Sequence, residues 1–159
     1  MVRTKKTNNK EKKGTNIANE RVVKRLKQLA RLNGYEPKTQ YMITTYLGLF
    51  DEQIHRDPEH KRDKIGVVDM VWLKKDIFSD NELPVYAFEI ETGWRNSNTL
   101  RADISKMKLL NCVRGFIVYP RNAFNREEDF SVAKSAIERY SRILGAPNMS
   151  FLHEDNLKS

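Results

Sequence analysis

Cysteine is almost missing from this sequence. Cys112 stands alone, which excludes an intramolecular disulfide and any cysteine-built zinc site. The three histidines, His55, His60 and His153, offer little for a histidine metal centre; the first two lie in a charged stretch and read as surface residues. No apolar run approaches the roughly 20 residues that cross a bilayer. No leading apolar stretch resembles a signal peptide. A glycine-rich phosphate loop is missing too, which disfavours nucleotide hydrolysis. These absences imply a cytoplasmic, DNA-accessible compartment and no membrane partner.

Charge is what the chain has. Its 159 residues carry 29 Lys+Arg against 21 Asp+Glu, a net charge of +8. A basic balance favours a polyanionic partner, most often nucleic acid. The charge is unevenly placed. Residues 1–14 hold Arg3, Lys5, Lys6, Lys10, Lys12 and Lys13 against Glu11 alone. This segment lacks aromatic residues and reads as a disordered basic arm, with Lys5, Lys6, Lys12 and Lys13 as phosphate contacts. Residues 15–159 then form a single domain, long enough to bury a core without staples.

Apolar periodicity sketches the domain. Val22, Val23, Leu26, Leu29 and Ala30 recur at helical spacing after a Thr15 or Asn16 cap, and Asn33-Gly34 stops the helix. Tyr35 to Phe50 alternates as a strand, and Asp51 to Lys64 reads as a charged loop or edge hairpin. Gly66 to Leu73 is β-branched and apolar on both faces, as a covered strand requires. Val85 to Glu91 is the next strand, across a long-looped hairpin. Asn98 to Asn111 carries Leu100, Ile104, Met107 and Leu110 on one helical stripe. A short strand over 115–119, a helix from Phe130 to Leu144 and a strand at 149–152 complete the chain. The expected fold is therefore α/β, a mixed β-sheet flanked by helices.

Three carboxylates do not fit a plain core. Asp69 sits between Val68 and Met70 in the covered strand, where an unpaired carboxylate is costly. Glu89 and Glu91 share one face of the next strand, about 7 Å apart. If the two strands pair, the three acids gather and repel each other unless a cation lies between them. A hard divalent ion with oxygen ligands, Mg²⁺ first, meets that need. The plainer alternative places the glutamates on a solvent face and pairs Asp69 with Arg101 or Arg114.

This arrangement resembles the PD-(D/E)xK nuclease superfamily, whose restriction-endonuclease-like core pairs an Asp ending one strand with (D/E)-x-K on the next. Gly66-Val67-Val68-Asp69 resembles the first element and Glu89-Ile90-Glu91 the second. The helix from Thr15 to Gly34, with Glu20 in its first turns, is similar to the family's opening helix. The whole order is also similar to archaeal Holliday-junction resolvases. The resemblance implies a Mg²⁺-dependent endonuclease, with Mn²⁺ able to substitute, acting on double-stranded or branched DNA as a homodimer. It implies metal ligation by Asp69, Glu89 and the backbone carbonyl of Ile90. Glu91 stands where the family's lysine is expected, so it would orient or deprotonate the attacking water, or hold a second ion. A lysine migrated to the following helix could be Lys106 or Lys108, which flank the apolar stripe on opposite sides. Glu20 would reach the metal through water. Trp94 and Arg95, directly after the Glu pair, are candidate DNA contacts. The alternative on the same fold is a DNA-binding module that has lost hydrolysis.

Overall fold

In the computed structural model the described residues are 5–45, 63–92, 97–124 and 127–157, with side chains described over somewhat less. Helix α1 (Lys5–Leu32) leads into strand β1 (Glu36–Thr45), followed by β2 (Asp63–Lys75) and β3 (Glu82–Ile90). Helix α2 (Ser97–Leu109), strand β4 (Arg114–Tyr119), helix α3 (Glu127–Ile143) and strand β5 (Met149–His153) complete the order.

The strands form one sheet in sequence order. β1, β2 and β3 are an antiparallel meander. β4 runs parallel to β3, and β5 parallel to β4. Each parallel step needs a crossover, which α2 and α3 provide. The fold is thus α/β, with a five-stranded mixed sheet between helices, as the periodicities imply.

Each face has its own core. On one face, Leu100, Ile104 and Met107 of α2 and Ala133 and Ile137 of α3 pack on Val71, Ala87, Ile117 and Tyr119. On the other, Val22, Leu26 and Ala30 of α1 meet Met70, Phe88, Ile90 and Val118. These α1 positions recur every four residues and are fully buried, each Val or Leu contributing about 1.5–3 kcal/mol. Gly34 closes α1 at φ +78°, a left-handed turn that suits glycine. α1 is also tied to the far end of the chain. Arg21 forms an ion pair with buried Glu154, and Arg25 Nε donates to the carbonyl of Leu157 at 2.8 Å.

Several boundaries differ from the sequence reading. α1 begins at Lys5, not at a Thr15 or Asn16 cap, so residues 5–14 of the expected arm are helical. Lys5, Lys6, Lys10, Glu11, Lys12 and Lys13 are good helix formers, and no proline breaks the run. β2 is longer at both ends than the 66–73 core, and β3 ends at Ile90, one residue before Glu91. Residues 46–62, with His55 and His60, lie outside the described residues, as do Trp94 and Arg95. Among the described residues, no helix is long and apolar enough to cross a membrane.

Candidate active site

The regular alternation of β2 slips at Asp69. Val68 packs on the α2 face, Met70 on the α1 face and Val71 on the α2 face again. The β1–β2 ladder pairs Thr39 with Met70 and Tyr41 with Val68, passing over Gln40 and Asp69. Gln40 there adopts φ +51°, an uncommon conformation for a residue with a side chain. The β2–β3 ladder likewise runs only as far as Met70 and Phe88. Beyond it, Asp69 Oδ2 accepts a hydrogen bond from the Ile90 amide at 2.8 Å, so a side chain supplies what the ladder no longer does. The carboxylate is thereby held beside the end of β3, at the residue whose carbonyl was expected to join it.

Glu89 lies on the α2 face of β3 and is 4% exposed. Lys106 Nζ of α2 stands 2.8 Å from its Oε1, but off the line of a good hydrogen bond. Asp103, one helical turn earlier, lies 3.3 Å from the same ammonium through Oδ1. Asp103 is also buried, and its Oδ2 has no hydrogen-bond partner among the described residues. Glu91, half-buried just past β3, is anchored by its amide donating to the Val118 carbonyl at 2.9 Å, and its carboxyl lies against Asp103.

The electrostatics follow from this crowding. Burial, then Asp69 and Asp103, push Glu89 up to about 9, outweighing Lys106. Burial, then Asp103 and Asp69, push Glu91 up to about 8. Lys106 is pulled down by burial but raised further by Glu89 and Asp103, with a net upward shift. The phenol of Tyr119, fully buried beneath, is raised by burial and by Glu91 and Asp103. Two carboxyl groups, Glu89 and Asp103, therefore contact one ammonium, while Glu91 and Asp69 add like charge beside them, and the ammonium does not offset all of it.

The structure separates the two candidate lysines. Lys106 points into the cluster, whereas Lys108 Nζ donates to the Leu144 carbonyl at 2.9 Å, at the C-terminal end of α3. Gly66 explains part of the difference. A Cβ placed there would come within 2.6 Å of Lys106 Cδ, so the bare backbone of β2 leaves the lysine its path.

Asp69, Glu89, Glu91 and Lys106 are thus brought together. Glu20 is exposed on α1, on the opposite face of the sheet, and is not among the charges acting on Glu89 or Glu91. The backbone of Lys5, Lys6, Lys12 and Lys13 is helical, while their side chains lie outside the description. Arg114, the alternative partner for Asp69, instead bonds Ser150 Oγ at 2.8 Å. The sequence reading missed Asp103, Tyr119 and Gly66. For Asp103 the signal was present, since it falls among Leu100, Ile104 and Met107 on the buried stripe.

The donors suit a hard cation, being carboxylate oxygens with an unpartnered buried oxygen among them. Among the described residues, however, no three His, Cys, Asp or Glu side chains converge as a ready metal nest. No protein-family model matches the chain, and no curated protein matches it significantly.

Proposed function

We propose that this chain is a Mg²⁺-dependent DNA endonuclease on a restriction-endonuclease-like core, hydrolysing phosphodiester bonds in double-stranded or branched DNA. The observation that carries the reading is a crowd of carboxyl groups, Asp69 midway along β2, Glu89 and Glu91 at the end of β3 and Asp103 on α2, with buried Glu89 and Asp103 both contacting Lys106 from that helix. Such a group is unfavourable for stability alone, and carboxyls whose proton affinity is raised this far by burial and like charge mark a candidate functional site.

In this reading Asp69, Glu89 and the Ile90 carbonyl hold the ion. When bound, Mg²⁺ polarises the scissile phosphate and lowers the pKa of a water. The chain's own residues do the rest. Asp69 is oriented by the Ile90 amide, so its free oxygen is fixed in direction. Glu91, raised to about 8, matches a general base working near neutral pH. Lys106 sets a cation beside the reacting phosphate, where developing negative charge is stabilised. Asp103 positions Lys106 rather than touching substrate. The basic N-terminal segment supplies affinity for the DNA backbone. Cutting both strands requires two such sites, hence a homodimer working in the DNA-bearing cytoplasm.

A second reading, DNA binding without hydrolysis, is favoured by the lack of a ready three-ligand nest among the described residues. One experiment separates the two. The chain is incubated with duplex and with four-way branched DNA, with Mg²⁺ or with chelator, and both cleavage and gel retardation are read. Cleavage only with Mg²⁺ supports the enzyme. Retardation without cleavage supports the binding module. Neither cleavage nor retardation refutes both.

A further inference from the structure

The α1 face of the sheet holds a feature that hydrolysis does not use. Beside α1 a cavity of about 370 Å³ opens, and its walls include Tyr35, Trp72, Tyr86, Phe88 and Phe116. The rings form one continuous set. Tyr35 stacks on Trp72 with centroids 5.6 Å apart, and Phe88 stacks on Phe116 at 5.4 Å. Tyr86 meets Tyr35 and Trp72 edge-on, at 5.4 and 5.8 Å.

Two polar groups in the same wall are not explained by packing. Trp72 is 9% exposed, and its Nε1 is buried with no acceptor among the described residues. A buried donor left unmatched is rare and calls for a partner. Arg114 lies over the Phe116 ring, 4.8 Å from its centroid, and one of its nitrogens is fixed on Ser150 Oγ. A guanidinium has five N–H donors, so this bond leaves it able to take an anion.

Ligand pockets hold about 300–1,000 Å³, so this cavity suits a small, flat molecule. An apolar ligand would leave the indole N–H unpaired and the guanidinium unused. A nucleotide answers all three features: a planar base to stack on the rings, ring acceptors for the indole and a phosphate for the arginine. We propose that this cavity is a nucleotide-binding site, taking one unpaired base against Trp72 with its phosphate toward Arg114. The site lies on the opposite face of the sheet from Asp69 and Glu89 and stands whether or not the chain cleaves DNA. The nucleotide can be free or an unpaired position in a strand, and the recognising chemistry is the same.

The test is calorimetric titration of the whole chain without Mg²⁺, using AMP, adenosine, a short single-stranded oligonucleotide and a fully paired duplex hairpin. AMP should bind more tightly than adenosine. Trp72→Phe keeps a ring but removes the donor and should weaken AMP about 2- to 10-fold. Arg114→Gln, at an exposed position, should remove the preference for AMP over adenosine while lowering the urea midpoint only slightly, through the lost Ser150 and Phe116 contacts. Single-strand binding that responds to both variants, with AMP inert, places the nucleotide in a strand. AMP binding that responds to both, with no gain from a strand, makes it a free nucleotide. The proposal is overturned if neither probe binds at millimolar concentration. It is equally overturned if both bind but Arg114→Gln changes neither affinity.

Discussion

Replacing Glu89 by Gln should make the protein more stable and abolish cleavage. Glu89 titrates near 4.5 when unfolded and at about 9 in the folded chain, raised by burial and by Asp69 and Asp103. A folded state that holds a proton the unfolded chain has lost becomes less stable as pH rises. The contribution is present in full below pH 4.5 and is lost progressively up to about pH 9. At pH 7 the wild-type chain has therefore given up about 3 kcal/mol relative to its acid side. Gln has the same shape and does not titrate. Glu89 is already protonated in the folded chain at pH 7, so Lys106 keeps Asp103 as its charged partner in both proteins, and imperfect amide hydrogen bonding in the buried site reduces the gain to roughly 1–3 kcal/mol. For a domain of this length that is a rise of roughly 3–8 °C in Tm. Thermal unfolding followed by circular dichroism from pH 4.5 to 9 measures it. The variant should gain on the wild type as pH rises and should show no advantage near pH 4.5. Added Mg²⁺ should raise the Tm of the wild type and not that of the variant, since an ion that binds only the folded site stabilises it. A Glu89→Gln protein less stable than wild type at pH 7, or a difference that ignores pH, would refute the electrostatic account of the site.

Asp69→Ala should abolish Mg²⁺-dependent cleavage in a plasmid-nicking assay, leave DNA retardation intact, and lower stability by about 1–3 kcal/mol through the unpaired Ile90 amide. Lys106→Met should slow cleavage by about 10²–10³-fold, while Lys108→Met stays near wild type; equal losses would remove Lys106 from its role. Gly66→Ala should mimic the Lys106 loss in single-turnover rate, because the new methyl displaces the lysine chain, and normal cleavage would show that the lysine can take another path. Deleting residues 1–13 should reduce the slope of log K against log salt by about 2 to 4 in DNA binding, and an unchanged slope would leave that basic segment without a role.

The sheet was legible because its strands are written in β-branched runs, and its acids Asp69, Glu89 and Glu91 were legible because they break those runs, whereas Asp103 sits on a helix and was missed. Asp69 between Val68 and Met70 could not be an ordinary core residue, and its contact with the Ile90 amide shows how it is held. The choice between Lys106 and Lys108 was not legible. Both flank the same stripe, and what separates them is a glycine forty residues away in sequence that faces only one of them. The start of α1 was hidden for a different reason, since a lysine-rich segment is an equally good description of a solvated tail and of a helix's outer turns. Glu91 was read as a strand residue sharing a face with Glu89. β3 ends one residue earlier, yet the Glu91 amide still bonds the Val118 carbonyl, which keeps Glu91 beside β4 and its carboxyl close to Asp103.

The clamp between α1 and the turn after β5 bears on how the protein is made. Arg21 and Glu154 are 133 residues apart in the chain, and Arg25 and Leu157 are 132 apart. α1 is made before the sheet, yet these two clamp contacts emerge only after nearly all of the sheet has been synthesised. Until Met70, Phe88, Ile90 and Val118 have been made, the Val22–Leu26–Ala30 stripe has no native surface to cover it. Contacts of such long range slow folding, and this clamp cannot form until the turn after β5 has been made.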